Sequence, residues 1–187
     1  AQAIAAMAIG VGAPPCDMIV GPGNRYVTAA KYLLSDRVGI DMLAGPSELV
    51  VLADATAHPD WIAADLIAQA EHDPDARAIL VTTDAAIIDH VNTELNTQLS
   101  SLPTAAIARK ALAESFAVCT SDLDDAIAIC DRIAPEHLAL HLCDAEAVAC
   151  RVQHFGGLFI GGASAEVLGD YSAGPNHVLP TGRSSRY

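Results

Sequence analysis

Two residues near the end of a predicted helix, Gln69 and His72, have the types and spacing that could bind a ligand. They stand three positions apart, so in a helix both side chains leave the same face. Imidazole is a frequent zinc ligand, whereas a side-chain amide is an uncommon one. The pair predicts either a shared metal or ligand site, or ordinary capping of the helix end by His72.

A carboxylate stands beside an imidazole in Glu136-His137, where a predicted helix gives way to a strand. Such a pair suits acid/base catalysis, because strand ends and their loops line the cleft in α/β folds. Adjacent residues of a regular strand point to opposite faces, so both can serve one site only if Glu136 still lies in the loop. Taken alone, His137 is equally well explained as a packed strand residue.

The stretch Gly21-Pro22-Gly23-Asn24 follows a predicted strand and opens a helix. Unpaired main-chain N–H groups and the helix dipole can hold an anion there, such as the pyrophosphate of a dinucleotide. The stretch lacks the third glycine of the common fingerprint, and Asp41 only approximates the position that would bind the ribose. An anion site and a purely structural tight turn both remain open.

The segment 161–182 differs from the rest of the chain, because it holds five glycines and two prolines and shows no periodicity. Long loops of this kind inside compact domains are usually functional. Asp170, Tyr171, Asn176 and His177 cluster in it, which favours a functional loop over a disordered tail.

The elements that must position these residues follow from an alternation of short Val/Ile/Leu runs with segments of helical period. The alternation predicts an α/β fold of Rossmann-like parallel sheets flanked by helices. Strands are predicted at 17–20, 38–41, 49–53, 78–82, 116–119, 137–142 and 158–160. Helices are predicted at 1–9, 24–34, 59–71, from 84 through the nineties, 121–132 and 145–152. Asp84 is expected to cap one helix, and Ser121 with Asp124 resembles a capping box for another.

The composition of the chain argues against nucleic-acid binding and against association with membranes. The chain of 187 residues carries 23 acidic and 10 basic residues, a net charge of −13 that would repel nucleic acids and anionic membranes. No apolar run reaches the roughly 18 residues of a membrane span. Five cysteines without a C-x-x-C pair suit a reducing compartment, so we expect a cytoplasmic protein. A start in helix-forming sequence without an initiator Met predicts the middle of a longer chain.

Five segments together resemble the histidinol dehydrogenase family, in that family's order and near its spacing. The resemblance covers essentially the whole chain, and five motifs in register are far more specific than any one of them. The segments are Val20–Val27, Gly39–Glu48, Gln69–Asp73, Ala134–Leu138 and Gly169–Thr181.

The resemblance implies a role for individual residues. Zinc ligands are implied at Gln69, His72 and Asp170, and the family's further ligand is a histidine that the C-terminal tail of the other subunit of a homodimer contributes. NAD contacts are implied at Gln2 and Asn24. Substrate contacts are implied at Ser47, Gln69, His72, Glu136, His137, Asp170 and His177. The lobes implied are 1–46, part of the NAD-binding lobe, and 47–187, an incomplete substrate- and zinc-binding lobe.

The reaction that the resemblance implies takes L-histidinol through a bound aldehyde to L-histidine and reduces two NAD molecules. His137 would remove the hydroxyl proton, and Glu136 would activate the water that attacks the aldehyde. We therefore expect the zinc ligands and the Glu136-His137 pair to converge on one cleft at the carboxyl ends of strands.

Two alternatives remain open at this stage. Relatives within the family oxidise other small alcohols, including sulfonated diols, so the substrate could differ. A catalytically incompetent zinc- or ligand-binding fragment is the second alternative. The intact Glu136-His137 pair argues against it, because a binding module has no need of an acid/base pair.

Overall fold

The computed structural model describes residues 1–21, 23–43, 45–171, 173 and 179–186, except for the side chain of Asp170. The chain divides into two compact units, Ala1–Gly45 and Pro46–Tyr187. His177 and Asn176, two of the polar residues singled out in the Gly-rich segment, lie outside the described residues.

The first unit is a small β-α-β arrangement preceded by a helix. Its elements are α1 (Gln2–Ile9), β1 (Met18–Ile19), α2 (Arg25–Leu34) and β2 (Gly39–Ile40). Helix α1 ends at Gly10, whose φ of 84° is a left-handed conformation that glycine adopts without steric cost. The two strands pair in parallel, and Ile4, Ile19, Ala30 and Val38 form the buried cluster between them and the helices.

The second unit is built on one parallel sheet of five strands in the order β5-β4-β3-β6-β7. Its longest described helix, α4, has 15 residues, and no described helix is long and apolar enough to cross a membrane. Its helices and strands are β3 (Glu48–Ala53), α3 (Pro59–Ala70), β4 (Arg77–Thr82), α4 (Ala85–Leu99), α5 (Ala105–Ala113), β5 (Ala117–Cys119), α6 (Leu123–Ile133), β6 (His137–His141), α7 (Ala145–Ala149) and β7 (Gly157–Ile160). Two 3-10 helices follow, at Glu166–Tyr171 and Ser184–Arg186.

Helices cover both faces of this sheet, and alternate strand residues face each layer. Leu138 and Leu140 of β6 pack in the cluster that α6 and α7 complete. Ala139 packs in the cluster that α3 and α4 complete, so His137 and His141 share its face. Because both faces are covered, central strands such as β3 are continuous apolar runs.

The predicted α/β class with parallel sheets is confirmed, but two local predictions are wrong and one helix was missed. Helix α5 lies in a stretch for which no element was predicted. Helix α6 is capped by Asp122, whose Oδ1 accepts the N–H of Asp125 at 2.9 Å, and not by Ser121. The helix predicted at 145–152 ends at Ala149. Asp84 does cap α4 as predicted, accepting the N–H of Ala86.

A buried contact between His141 and Asp65 joins helix α3 to the sheet. Nε2 of His141, the last residue of β6, lies 3.0 Å from Oδ2 of Asp65. Both side chains are nearly inaccessible to solvent. The contact fixes where α3 crosses the sheet, and with it the position of the residues further along the helix.

We expect His141→Leu to lower the free energy of unfolding by about 3 kcal/mol, because the Asp65 carboxylate is then buried without its partner. The double variant His141→Leu/Asp65→Leu should recover most of that loss, since no unpaired charge remains. Urea unfolding of both variants checks this. Equal destabilisation in the single and double variants would show that the unpaired Asp65 carboxylate is not the cause.

Candidate active site

The Glu136-His137 pair lies at the amino edge of the second sheet. Glu136 occupies the bend before β6, and His137 is the first residue of that strand. The condition that Glu136 lie in the loop is therefore met. The expectation of a cleft at the carboxyl ends of strands is wrong, because a strand's first residue lies at its amino end.

The carboxyl edge is bridged where a ligand crevice would be expected. Ligands of open parallel sheets commonly bind where the strand order reverses, which here is between β3 and β6. At that point the N–H of Asp54 donates to the carbonyl of His141 at 3.3 Å. The N–H of Cys143 donates to Oδ2 of Asp54 at 2.9 Å. The chain's own hydrogen bonds thus join the two strand ends.

Glu136 is a buried carboxyl group, 7% exposed, held by the start of strand β3. Its Oε2 accepts the main-chain N–H of Glu48 at 3.3 Å, and the Ser47 side chain also bonds to it. Burial raises the pKa of Glu136 to about 7, and the Glu48 charge adds to this, while the two hydrogen bonds oppose it. A carboxyl group that titrates near neutrality can donate and accept protons at physiological pH.

His137 is also buried, 4% exposed, and lies beside a second carboxylate. Its Nδ1 is 3.4 Å from Oε2 of Glu166, which belongs to the 3-10 helix after β7. Its ring lies 5.8 Å from that of Phe159. A carboxylate next to one imidazole nitrogen orients the ring, as the third group of a nucleophile–base–orienter arrangement does. Sequence reasoning did not single out Glu166, which stands in the aperiodic segment without any pattern to mark it.

The described part of the Gly-rich segment returns to the same amino edge. The hydroxyl of Ser185 donates to the carbonyl of Ala134 at 3.1 Å. A main-chain N–H of Gly182 bonds to the Glu48 carboxylate. A Cβ added at Gly156 would lie 2.6 Å from the carbonyl oxygen of Glu136, so only glycine fits there without a shift. The described residues 179–186 therefore lie beside the Glu136-His137 pair.

Gln69 is a polar residue at a buried position, which is unusual. It is 1% exposed, and neither Oε1 nor Nε2 has a hydrogen-bond partner among the residues that the structure describes. Helix α3 joins two parallel strands and so runs back from the carboxyl edge to the amino edge. Asp65 contacts the carboxyl end of β6, and Gln69 lies one helical turn further toward the amino edge. A buried amide of this kind is typically satisfied by a ligand, an ordered water or another part of the chain.

His72 lies three positions after Gln69 as predicted, but just beyond the end of helix α3. Helix α3 ends at Ala70, Glu71 is its C-cap residue, and His72 lies in the following turn with an exposed side chain. Glu71 is fixed by the hydroxyl of Thr104, which donates to Oε2 at 2.5 Å. The described residues contain no group of three or more His, Cys, Asp or Glu side chains that could hold a metal. The side chain of Asp170, the third expected ligand, lies outside the described part of the structure.

The expected NAD contacts Gln2 and Asn24 are both exposed residues of the first unit. Oδ1 of Asn24 caps α2 by accepting the N–H groups of Tyr26 at 3.1 Å and Val27 at 3.3 Å. Two N–H groups that an anion could have used are thus already bonded. The amide nitrogen is the part of Asn24 that could donate to a cofactor oxygen.

Asp41, the acidic residue near the expected ribose position, is engaged within the first unit. Its Oδ1 lies 2.6 Å from Nζ of Lys31, and its Oδ2 accepts the N–H of Gly21 at 2.7 Å. Lys31 also donates to the carbonyl of Gly21 at 2.6 Å. These bonds give the turn at Gly21 a structural function, and they lower the pKa of Asp41 against the opposing effect of its burial.

A parallel sheet covered on both faces, with a carboxyl group and an imidazole buried side by side at one edge, is typical of an α/β enzyme. The sequence model of the histidinol dehydrogenase family matches residues 1–187. The chain belongs to the histidinol dehydrogenase family.

Individual relatives agree with this assignment. The chain is 52% identical over 188 residues to a histidinol dehydrogenase of Thermus thermophilus and 51% identical over 189 residues to one of Cereibacter sphaeroides. All of this chain is matched, but only 46% and 44% of those relatives. A crystal structure of histidinol dehydrogenase from Elizabethkingia anophelis superposes with a TM-score of 0.93 at 43% identity, covering 99% of this chain and 43% of that one. The chain therefore spans less than half the length of these relatives.

Proposed function

We propose that the full-length protein oxidises L-histidinol through the aldehyde to L-histidine, in histidine biosynthesis, with reduction of two NAD. Family membership supports the reaction. The observation that carries it is the burial of the Glu136-His137 pair beside two further carboxylates, Glu48 and Glu166. Buried acidic groups need protons or cations to balance them. A substrate with an imidazole and an amino group supplies such positive charge.

The donors present fit zinc. Gln69 offers a buried amide oxygen without a partner, and His72 and Asp170 would add a nitrogen and an oxygen. We propose these three as ligands, with a further histidine from the other subunit of a homodimer. When bound, zinc supplies an anchor for the imidazole and amino group of the substrate.

His137 and Glu136 divide the proton transfers. His137, oriented by Glu166, takes the proton of the substrate hydroxyl while hydride passes from carbon to NAD. Glu136, whose pKa burial raises to about 7, takes a proton from the water that attacks the aldehyde. In the second oxidation the hydrated aldehyde would give up a hydride, which NAD would accept when bound, and the hydroxyl proton lost with it would pass to His137. Holding the aldehyde in one oriented complex keeps it from escaping between the steps.

Four further residues have proposed binding roles. Ser47 and His177 would contact the substrate, while Gln2 and Asn24 of the first unit would contact NAD. We further propose a cytoplasmic homodimer. The five cysteines are free thiols, which fits a reducing compartment.

The test is turnover of L-histidinol by the purified full-length protein with zinc and NAD. We expect two NADH for each histidine formed, and Gln69→Leu should lose most of this activity together with its zinc. With zinc removed from both proteins, the free energy of unfolding of Gln69→Leu should be no lower than that of the wild type. The variant replaces a buried amide that has no partner among the described residues by an apolar group.

Gln153→Leu, a change of the same kind at an exposed position, is the control and should keep full activity and zinc. If the protein oxidises a sulfonated diol but not histidinol, the proposed substrate is wrong. Full zinc content in Gln69→Leu would remove Gln69 from the ligand set.

A further inference from the structure

Glu48 is a buried charge to which the proposed reaction assigns no task. It is the first residue of β3, the central strand, and is 6% exposed. Among the described residues its Oε2 has no hydrogen-bond partner; the N–H of Gly182 bonds to the carboxylate, and Oε1 lies 3.9 Å from Nη1 of Arg77, whose side chain is largely exposed. A buried carboxylate with so distant a cation costs stability, and such groups are concentrated at functional sites.

The strand register brings Glu48 to Glu136. Leu49 pairs with His137 in the parallel sheet, so the residue before each stands at the same level of the amino edge. The N–H of Glu48 donates to Oε2 of Glu136 at 3.3 Å. One residue thus holds the Glu136 carboxyl group by its main chain and places a like charge near it by its side chain.

We propose that Glu48 is a positioning residue of the acid/base site, which orients the Glu136 carboxyl group and keeps it basic enough to take a proton from water. The main-chain bond performs the first task and the side-chain carboxylate the second. This inference rests on the proposed function, in which Glu136 activates the water for the aldehyde step.

The electrostatics of the edge agree with this role. Burial raises the pKa of Glu136 and the Glu48 charge raises it further, while the N–H of Glu48 and the Ser47 side chain lower it. Burial also raises the pKa of Glu48, against the N–H of Gly182 and the charge of Arg77. Among the described residues, the other titratable side chains of the Glu136-His137 site, His137 and Glu166, contact each other. A general base works best when its pKa lies near the working pH.

The decisive variant is Glu48→Gln in the full-length enzyme, because it removes the charge and keeps the side-chain size and the main-chain N–H. The acid limb of the pH profile for aldehyde oxidation should move to lower pH by about one unit, as expected for loss of a neighbouring like charge. The plateau rate should fall by about three- to ten-fold, since Glu136 becomes a weaker base, while KM changes by less than about two-fold. Glu48→Asp, which keeps a charge, should retain most of the wild-type profile.

A second readout does not depend on turnover. The ¹³C carboxyl signal of Glu136, assigned by its loss in Glu136→Gln, should titrate at lower pH in Glu48→Gln than in wild type. Glu114→Gln, the same change at an exposed position, should leave both readouts unchanged. Glu48→Met, neutral and apolar, should give the same shift and serves if Glu48→Gln does not fold.

The two readouts separate the inference from the proposed function. If the wild type does not oxidise histidinol but the Glu136 midpoint still falls in Glu48→Gln, the proposed function is wrong and the coupling of the two carboxyl groups stands. If histidinol is oxidised and neither the acid limb nor the midpoint moves, Glu48 has no positioning role and the inference is wrong.

Discussion

His137→Asn in the full-length enzyme is expected to slow both oxidations, by about 10²- to 10⁴-fold, the usual loss when a general base is removed. Both hydride transfers require a proton to leave a hydroxyl group, that of the alcohol in the first step and that of the hydrated aldehyde in the second. In the proposed mechanism, the buried imidazole of His137 beside Glu166 accepts that proton. His90→Asn, at an exposed position of α4, should have no effect.

Glu136→Gln should separate the two steps, because only the aldehyde step needs an activated water. Single-turnover assays started from the alcohol and from the aldehyde measure each step. The aldehyde step should fall by about 10²-fold or more and the alcohol step by less than about ten-fold. Equal losses in both assays would contradict the assignment of Glu136 to water activation.

The pH dependence of the aldehyde step follows from the same group. Glu136 acts as a base only when ionised, and its pKa is raised to about 7 in the free site. The rate should therefore fall as the pH drops through 7. The effect of this group on stability has the opposite sense: stability is greatest while the carboxyl group is neutral and is lost as the pH rises through its raised pKa.

The fold was predictable because its signals are local and periodic. Continuous apolar runs such as β3 indicate strands buried on both faces, and they lie where the sequence places them. The residues that cap the helices were predicted less well. Ser121 and Asp122 are adjacent and both suit an N-cap, and only the structure shows that Asp122 accepts the N–H of Asp125.

The position of the site could not be predicted from the order of elements alone. The general rule for parallel sheets favours the carboxyl edge at the point of strand reversal. Here Asp54 and its bonds to His141 and Cys143 join the strand ends at that point. Such bonds depend on tertiary geometry that no local sequence pattern encodes.

The two carboxylates that surround the acid/base pair were missed for different reasons. Glu48 is the first residue of a strand that is otherwise apolar, a position at which a charged residue is normally exposed. Glu166 stands 29 positions after His137 in a segment without periodicity, and only the return of that segment to the amino edge brings the two together. For Glu48, a signal was available, since it directly follows Ser47 in a segment that resembles the family.

The last prediction concerns the 187-residue chain by itself, which we expect to bind zinc weakly and not to oxidise histidinol. It spans less than half the length of its relatives and offers three of the proposed ligands. Zinc sites are normally four-coordinate, and a site without its further imidazole should lose affinity substantially. The first unit is also small, 45 residues with two short strands, so it would meet NAD with little surface of its own.

The measurement compares this chain with the full-length protein at equal concentration, following zinc content after dialysis and NADH formation from histidinol. The full-length protein should keep stoichiometric zinc and turn over, whereas the short chain should lose both. Exposed apolar residues of the first unit, such as Val20 and Leu33, should also favour self-association of the short chain, because large apolar patches seldom stay bare. Stoichiometric zinc together with equal turnover in the short chain would show that its own residues complete the active site, against the proposed contribution of a partner subunit.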